Sequence, residues 1–444
     1  MLTIDDLPDN DLLAIFDFFV VRYRHLDFRE FRDPETKWKI EWWQSLVHVC
    51  RRWRGLVFGS PRRLDLRLYY DPRRSARKTL DVWPAFPLLI QGDVSEASVD
   101  NVVAELGHSD RLCQIDLNYS TTSQIEKLWT AMQAPFPELT DLHLSFGALS
   151  YGYVPVLPDL FLGGSASRLR YFCLDGIPFP GLPKLLLSAT HLVNLYLRHI
   201  PHSGYISPEV MATCLSMLTS LEVLELQFYS PQSSPDREAR RSPSQTRSVL
   251  PVLNFFWFKG SNEYLEDLVA RIDTPQLYQL SVTFFNDIDF DTPELVRFVS
   301  RSSRFKAPNK AHVCFGSRTA SVKFHPQAAT TQYFDVKISC REPNWQLSSL
   351  AQICTASLPL LSTTVNLFIY ETYNSQLEWK DGIENIEWLE FLLPFAAVKN
   401  LYLSKHFVPR IAPALQEITG GGTIGYIVTH PAESLPGGVP ADGI

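Results

Sequence analysis

The segment Leu192-Val-Asn-Leu195-Tyr-Leu197 decides the fold, because its three leucines recur along the chain at the same spacing. Leu195 and Leu197 are two residues apart and therefore point to the same side of a β-strand, while Leu192 anchors the turn that leads into the strand. Six other segments have this spacing, with isoleucine, valine or phenylalanine at some positions, and they begin at Leu112, Leu139, Leu169, Leu221, Leu253 and Leu277.

The distance between these segments indicates a repeating structural unit. Neighbouring copies begin about 23 to 32 residues apart, a length that suits one strand with a helix or an irregular turn. Each unit can bury its leucines only against its neighbours, so the units are expected to stack. The sequence therefore predicts an α/β fold in which strands and helices alternate.

The repeated pattern resembles that of leucine-rich repeats. This resemblance implies a leucine-rich-repeat-like α/β solenoid over residues 61–419. The asparagine that usually follows the strand is missing from most copies, and Asn118 is the exception. Beyond Phe290 the spacing loosens, although strands are still predicted over 312–315, 322–324 and 334–338.

Two polar segments lie outside the repeats. Residues 230–248 contain mostly Ser, Pro, Gln and Arg, so they cannot form a core and are predicted to be a flexible loop. Residues 420–444 are rich in Gly and Pro and are predicted to be a tail, with one short strand over 423–428.

The N-terminus has a different, helical pattern. Residues 1–16 read Met-Leu-Thr-Ile-Asp-Asp-Leu-Pro-Asp-Asn-Asp-Leu-Leu-Ala-Ile-Phe, in which Leu12, Ile15 and Phe16 recur at helical spacing. A second helix is predicted over 46–57. Two such short helices cannot bury both apolar stripes against each other, so part of this surface needs a partner. The stripe of the second helix consists of Leu46, Val49, Cys50, Trp53, Leu56 and Val57. Alternating Leu64, Leu66 and Leu68 predict a strand directly afterwards.

In order and composition, the two helical segments resemble an F-box over residues 1–60. The motif Leu-Pro-x-x-x-Leu-Leu-x-Ile-Phe is followed by Leu-x-x-Val-Cys-Arg-x-Trp, and the insertion 22–42 between them is longer than the usual link. The resemblance implies docking on a Skp-type adaptor and, through it, on a cullin. It assigns adaptor binding to Leu7, Pro8, Leu12, Leu13, Ile15, Phe16, Val49, Cys50 and Trp53.

The sequence contains no recognisable catalytic constellation. It lacks the glycine-rich nucleotide-binding loops, the zinc-protease motif and the serine nucleophile elbow, and its eleven histidines are scattered. His143 is expected to be exposed or locally hydrogen-bonded. Cys50 lies on an apolar stripe, so it is expected to be buried rather than to be a reactive thiol. We therefore predict a protein that is not an enzyme and that binds neither a cofactor nor a metal.

Composition and cysteine content indicate the general class of protein and its cellular location. The 444 residues include 45% hydrophobic and 20% charged residues, as is usual for a soluble globular protein. Neither a membrane span nor a signal peptide is predicted. Seven widely separated cysteines without a Cys-x-x-Cys pair predict reduced thiols, most of them buried, and a cytoplasmic or nuclear location.

Partners are predicted from the same features. The net charge of −7 argues against nucleic-acid binding, despite a basic run over 51–78. The resemblance implies a substrate-recognition subunit of a Skp-cullin-F-box ubiquitin ligase with an unknown protein target. A repeat scaffold that joins no ligase is the alternative, and an ordinary helical cap is the alternative for the N-terminus. Residues between the repeat leucines show no dominant aromatic or charged cluster, so the target class stays open.

Overall fold

A computed structural model gives the structure of the chain, which is mixed α/β as predicted. It divides into two compact units, Met1–Ala189 and Thr190–Ile444, so the division falls inside the predicted repeat region. Most of the predicted insertion 22–42, loop 230–248 and tail 420–444 lies outside the described residues. The described residues are 4–21, 41–61, 63–72, 83–119, 121–147, 156–231, 247–285, 292–302, 305, 308–326, 333–340, 343–357, 359–372, 385–418 and 426–428.

The first unit combines short helices with a parallel sheet. Its helices are α1 (Asp9–Val21), α2 (Gln44–Val47), α3 (Arg51–Gly59), α4 (Val99–Leu106), α5 (Thr122–Ala131) and α6 (Leu182–Ser188). Its strands are β1 (Leu68–Tyr70), β2 (Leu88–Val94), β3 (Leu112–Tyr119), β4 (Asp141–Phe146) and β5 (Tyr171–Asp175). These strands pair in chain order and all pairs are parallel. Of the strand predicted over 64–68, only Leu68 lies in β1. Leu64 and Leu66 are also buried, but they belong to the irregular segment that precedes β1.

The second unit has a large, mostly parallel sheet. Its helices are α7 (Pro208–Ser216), α8 (Asn262–Val269), α9 (Pro293–Arg301), α10 (Pro343–Ser357), α11 (Asn385–Leu392) and α12 (Val408–Ile418). Its strands are β6 (Asn194–Ile200), β7 (Val223–Phe228), β8 (Ser248–Val249), β9 (Phe255–Gly260), β10 (Ile272–Asp273), β11 (Gln279–Phe285), β12 (Pro308–Phe315), β13 (Thr319–Pro326), β14 (Tyr333–Ser339), β15 (Asn366–Glu371), β16 (Asn400–Leu403) and β17 (Tyr426–Val428). The sheet order is β6–β7–β9–β11–β14–β13–β12–β15–β16–β17, and β8 pairs separately with β10. The helices contact one another in chain order.

The repeated leucines form rows of buried side chains across the second sheet. Leu195, Leu224, Phe256 and Leu280 are paired in register on β6, β7, β9 and β11, and all four are fully buried. The next row contains Leu197 and its equivalents, two residues further along each strand. The predicted strands at the seven repeats are therefore confirmed, because the spacing of two places both leucines on the covered side of the sheet.

The looser spacing beyond Phe290 has a structural cause. Strand β13 is antiparallel to both β12 and β14, whereas β14 is parallel to β11 and β12 is parallel to β15. Strands β12, β13 and β14 therefore follow one another with no helix between them in the described residues, and the parallel order of strands resumes at β15. The strands predicted over 312–315, 322–324 and 334–338 are confirmed as parts of β12, β13 and β14.

A close approach at the end of β9 requires glycine. A methyl group at Gly260 would lie 2.6 Å from Cζ of Phe258 and 2.9 Å from Cδ2 of Phe228, and both rings are buried. Gly260→Ala is expected to lower the free energy of unfolding by about 1–3 kcal/mol because the rings must shift. Urea-induced unfolding measures this change.

A second glycine provides the control. Gly55 lies in α3, and no atom lies within 4 Å of the position that its added methyl group would take. Gly55→Ala should therefore raise stability by about 0.5–1 kcal/mol, because alanine loses less backbone entropy on folding. A destabilisation at residue 55 as large as that at residue 260 would contradict this interpretation.

Candidate functional site

The N-terminal helix α1 packs on α3 through named contacts. The rings of Phe16 and Trp53 meet edge to face, with their centroids 4.9 Å apart. The Arg52 guanidinium donates to Asp9 Oδ1 at 2.6 Å and also to the backbone carbonyl of Leu7. Arg52 therefore holds the turn that contains Leu7 and Pro8 against the start of α3.

Helices α2 and α3 replace the single second helix predicted over 46–57, and that prediction is wrong. Cys50 has extended backbone angles, φ −155° and ψ 172°, and its Sγ accepts from the Trp53 backbone N–H at 3.5 Å. The helix is broken because Cys50 caps the start of α3. Cys50 is consequently half-buried at a helix end, so the expectation of full burial is also wrong.

Helices α2 and α3 are tied to the first sheet mainly by Trp43. Its ring is fully buried, and its Nε1 donates to the Arg67 carbonyl at 3.1 Å. Edge-to-face contacts join Trp43 to Trp83 and Phe86, with centroids 5.1 and 5.4 Å apart. This half of the helical region is therefore an integral part of the first unit.

The nine residues assigned to adaptor binding fall into three classes of exposure. Three are buried, three are half-buried and three are exposed, so only some of them can touch another protein. The buried residues are Leu12, Leu13 and Phe16; the half-buried residues are Leu7, Cys50 and Trp53; the exposed residues are Pro8, Ile15 and Val49.

Several large apolar side chains on this helical region lack a covering. Ile15 is 41% exposed, Phe18 78% and Val49 58%. At 100° per residue, Phe18 lies opposite Leu12 and Phe16 on the helix, which are both buried. Phe18 was missed in the sequence because the apolar stripe of α1 was drawn through Ile15 and Phe16. A helical projection of residues 9–21 contains the signal, because apolar residues occupy both sides of α1.

The open side of the second sheet carries a cluster of rings and lysines. The strands that carry this cluster follow the seven repeats in the chain, so the cluster lies outside the segments for which no aromatic or charged cluster was expected. These residues alternate along each strand with buried apolar residues and are partly exposed. We call this surface the ladder face, and it consists of Lys310, His312, Lys323, Tyr333, Phe368 and Tyr402.

Three rings of the ladder face are stacked. His312, Phe368 and Tyr402 occupy paired positions on β12, β15 and β16. The centroids of His312 and Phe368 are 4.5 Å apart with planes inclined by 4°, and those of Phe368 and Tyr402 are 4.3 Å apart with planes inclined by 6°. These separations nearly equal the spacing between strands, so the rings stand upright on the sheet and their edges point outward.

The ladder face carries two lysines, and the imidazoles of His312 and of neighbouring His325 are neutral at pH 7. Burial, and then the charges of neighbouring His325, Lys310 and Lys323, lower the pKa of His312 to about 4. Burial, Lys323 and Lys310 likewise lower the pKa of His325 to about 4. Burial also lowers the pKa of Lys323, whose Nζ lies 4.1 Å from the centre of the Tyr333 ring.

A buried acid–imidazole pair lies in the first unit. Asp116 Oδ1 and His143 Nδ1 are 2.8 Å apart, and Asp116 also accepts from Gln91 Nε2 at 3.3 Å. Burial opposes a charge on His143, but the hydrogen bonds and charges of Asp116 and Cys173 together outweigh it and raise the pKa of His143 to about 10. The expectation that His143 is locally hydrogen-bonded is confirmed.

The register places Cys173 beside His143, in line with Asp116 on three adjacent strands. This order resembles that of a nucleophile, a base and an orienting acid. Cys173 is nevertheless completely buried, and a protonated imidazole cannot accept a proton at neutral pH. The arrangement therefore acts as a structural ion pair.

Other kinds of site find no support in the described ranges. Over those ranges, no three or more His, Cys, Asp or Glu side chains are grouped as metal ligands. None of the described helices is both long and apolar enough to cross a bilayer. Comparison with protein-family models and with curated proteins gave no match.

Proposed function

We propose that the chain is the substrate-recognition subunit of a Skp-cullin-F-box type ubiquitin ligase. Residues 1–60 act as the F-box that docks a Skp-type adaptor, and a leucine-rich-repeat-like solenoid over 61–419 holds the target protein. Its mechanism is to raise the effective concentration of the target near the conjugating enzyme. Such a subunit needs no catalytic group of its own.

The observation that carries this proposal is the exposure of Phe18, Ile15 and Val49. Large apolar side chains that stay uncovered on a well-packed region are typical of protein-binding surfaces. A helical pair that served only as a cap would direct such side chains toward the unit beneath it. The exposed residues occupy or adjoin the F-box-like motif, which favours an adaptor as the partner.

Within this proposal, the exposure of each motif residue decides whether it contacts the adaptor or supports the helices. Leu7, Pro8, Ile15 and Val49 provide the contact surface, and Phe18 extends it. The buried Leu12, Leu13 and Phe16 shape α1 so that the contact residues face outward. Half-buried Trp53 supports α1 from below, and Cys50 positions α3 as its cap.

The rows of buried side chains support the target-binding half. Each repeat contributes one strand, parallel neighbours stack in register, and the helices of the second unit contact one another in the same order. Stacked repeats leave one side of the strands available for a partner.

Phe18→Ala is expected to weaken binding of the full chain to a purified Skp-type adaptor by more than tenfold. Loss of an aromatic side chain that becomes buried in such an interface costs about 2 kcal/mol. Titration calorimetry with the full chain measures the affinity. Leu7→Ala combined with Pro8→Ala should give a comparable or larger loss.

The matched control is Leu187→Ala. Leu187 is also apolar, helical and 45% exposed in the first unit, but it lies on α6. Its adaptor affinity should equal that of the unmodified chain. If the unmodified chain does not bind the adaptor, the ligase assignment fails and a repeat scaffold outside the ligase explains the chain better.

A further inference from the structure

Among the described residues, Asp335 is paired in register with Lys323 but forms its ion pair with Lys337, so it offsets the positive charge of the ladder face only in part. Lys337 Nζ forms an ion pair with Asp335 at 2.9 Å, and Arg198 forms a two-pronged pair with Glu225. Lys310 and Lys323 form no ion pair with a carboxylate of the described residues. Both are part of a chain whose net charge is −7, so this face differs in sign from the average surface.

The surroundings of Lys323 make a nearby negative charge favourable. Lys323 is paired in register with His312 on β12 and with Asp335 on β14, and these two strands also carry Lys310 and Lys337. Burial and the charge of Lys337 lower the pKa of Lys323, although Asp335 opposes the change. A carboxylate placed over this face would favour the charged ammonium groups and offset their mutual repulsion.

The upright rings favour the same ligand chemistry. An aromatic ring has a negative face and a positive edge. Phe368 has both faces covered, by His312 on one side and Tyr402 on the other, so its edge faces the outside. The ladder face therefore presents positive ring edges beside two lysines.

The same geometry disfavours a single-stranded nucleic acid. Bases bind by stacking on free aromatic faces, and the faces of Phe368 are occupied. Tracking a phosphate backbone also takes several basic side chains, whereas only Lys310 and Lys323 on this face are unpaired within the described part of the chain.

We infer that the ladder face binds an acidic segment of the target protein, whose carboxylates lie over Lys310, Lys323 and the outward edges of Phe368 and Tyr402. This inference rests on the target-binding half of the proposed function. It does not depend on the adaptor, because the ladder face lies wholly in the second unit.

The test uses a fluorescein-labelled oligoglutamate peptide and the full chain, with binding followed by fluorescence anisotropy. The peptide should bind, and added salt should weaken the binding. Lys310→Glu combined with Lys323→Glu is expected to lower the affinity at least tenfold. Lys310→Glu alone changes an exposed side chain, so it should show a smaller loss in the same direction even if the double variant folds poorly.

The matched control is Arg170→Glu combined with Lys184→Glu. Both residues are exposed in the first unit, and the pair changes the net charge by the same amount. This control should retain the peptide affinity. Equal losses in both double variants, or no binding of oligoglutamate to the unmodified chain, would overturn the inference.

Two further measurements separate this inference from others. Oligouridylate RNA of equal length should bind no more tightly to the unmodified chain than to the lysine variant, and preferential RNA binding would overturn the acidic-segment assignment. Adaptor affinity is measured in parallel. If the chain binds the peptide but not the adaptor, the ligase part of the proposed function is wrong. If it binds the adaptor but not the peptide, only the inference about the ladder face is wrong.

Discussion

Replacement of Leu224 by alanine is expected to lower the free energy of unfolding of the second unit by about 2–5 kcal/mol. Leu224 is fully buried on β7 and is paired in register with Leu195 on β6 and Phe256 on β9. Removing its side chain leaves a cavity, because neighbours held by strand pairing can collapse into it only partly. Urea-induced unfolding followed by tryptophan fluorescence measures the effect, since Trp257 and Trp388 lie in the same unit.

Leu393→Ala is the matched control for this cavity. Leu393 follows α11 in the second unit and is 59% exposed, so the same chemical change creates no enclosed space. Its effect should stay within about 0.5 kcal/mol. A similar loss at both residues would show that Leu224 does not belong to a packed row.

Asp116→Asn is expected to destabilise the first unit by about 3 kcal/mol at pH 7. Asparagine preserves the size of the side chain but removes the charge that stabilises the His143 imidazolium at 2.8 Å. His143 must then remain as a buried cation without an acidic partner or lose its proton, and either state costs stability. Urea-induced unfolding of both proteins at the same ionic strength measures the difference.

The same pair predicts the direction of a pH dependence. The pKa of His143 is about 10 in the folded chain and about 6.5 when unfolded. Because the folded pKa is the higher one, the imidazolium contributes stability that is fully present below pH 6.5 and is lost as the pH rises through about 10. The difference in stability between the unmodified chain and Asp116→Asn should therefore shrink over that range.

A change of the partner residue provides the control for this pH dependence. His143→Gln removes the titrating group, so its stability should lack the same decline between pH 6.5 and 10. Other groups titrate in this range and affect all three proteins alike. A constant difference between the unmodified chain and Asp116→Asn from pH 6 to 10 would contradict the assignment.

The strands of the repeats were predictable because their signal is local. Leu195 and Leu197, or Leu224 and Leu226, need only a spacing of two to be directed to one side of a strand. The break between α2 and α3 was not predictable in this way. Apolar spacing continues through Val49 and Cys50, and only the extended backbone at Cys50 interrupts the helix.

The ladder face was beyond sequence analysis for a different reason. His312, Phe368 and Tyr402 are far apart in the chain, and they meet because β12 pairs with β15 and β15 with β16. The spacing of residues within one repeat does not indicate which strands become neighbours once β13 has paired antiparallel with β12 and β14. Phe18, by contrast, is evident once the helix bounds Asp9–Val21 are known.

The antiparallel pairing of β13 with β12 and β14 also affects how the chain folds during its synthesis. Strand β12 leaves the ribosome before β14 and has the same direction as β14, so it can pair with β11 in a parallel but non-native manner. Strand β11 can pair with β9 at once, but the native partner of its other edge, β14, is complete only after Ser339 has been made, and until then that edge is open to other chains. We therefore expect that slower translation across 308–339 lengthens the time for which this edge is exposed and that a chaperone covering the edge raises the yield of native protein.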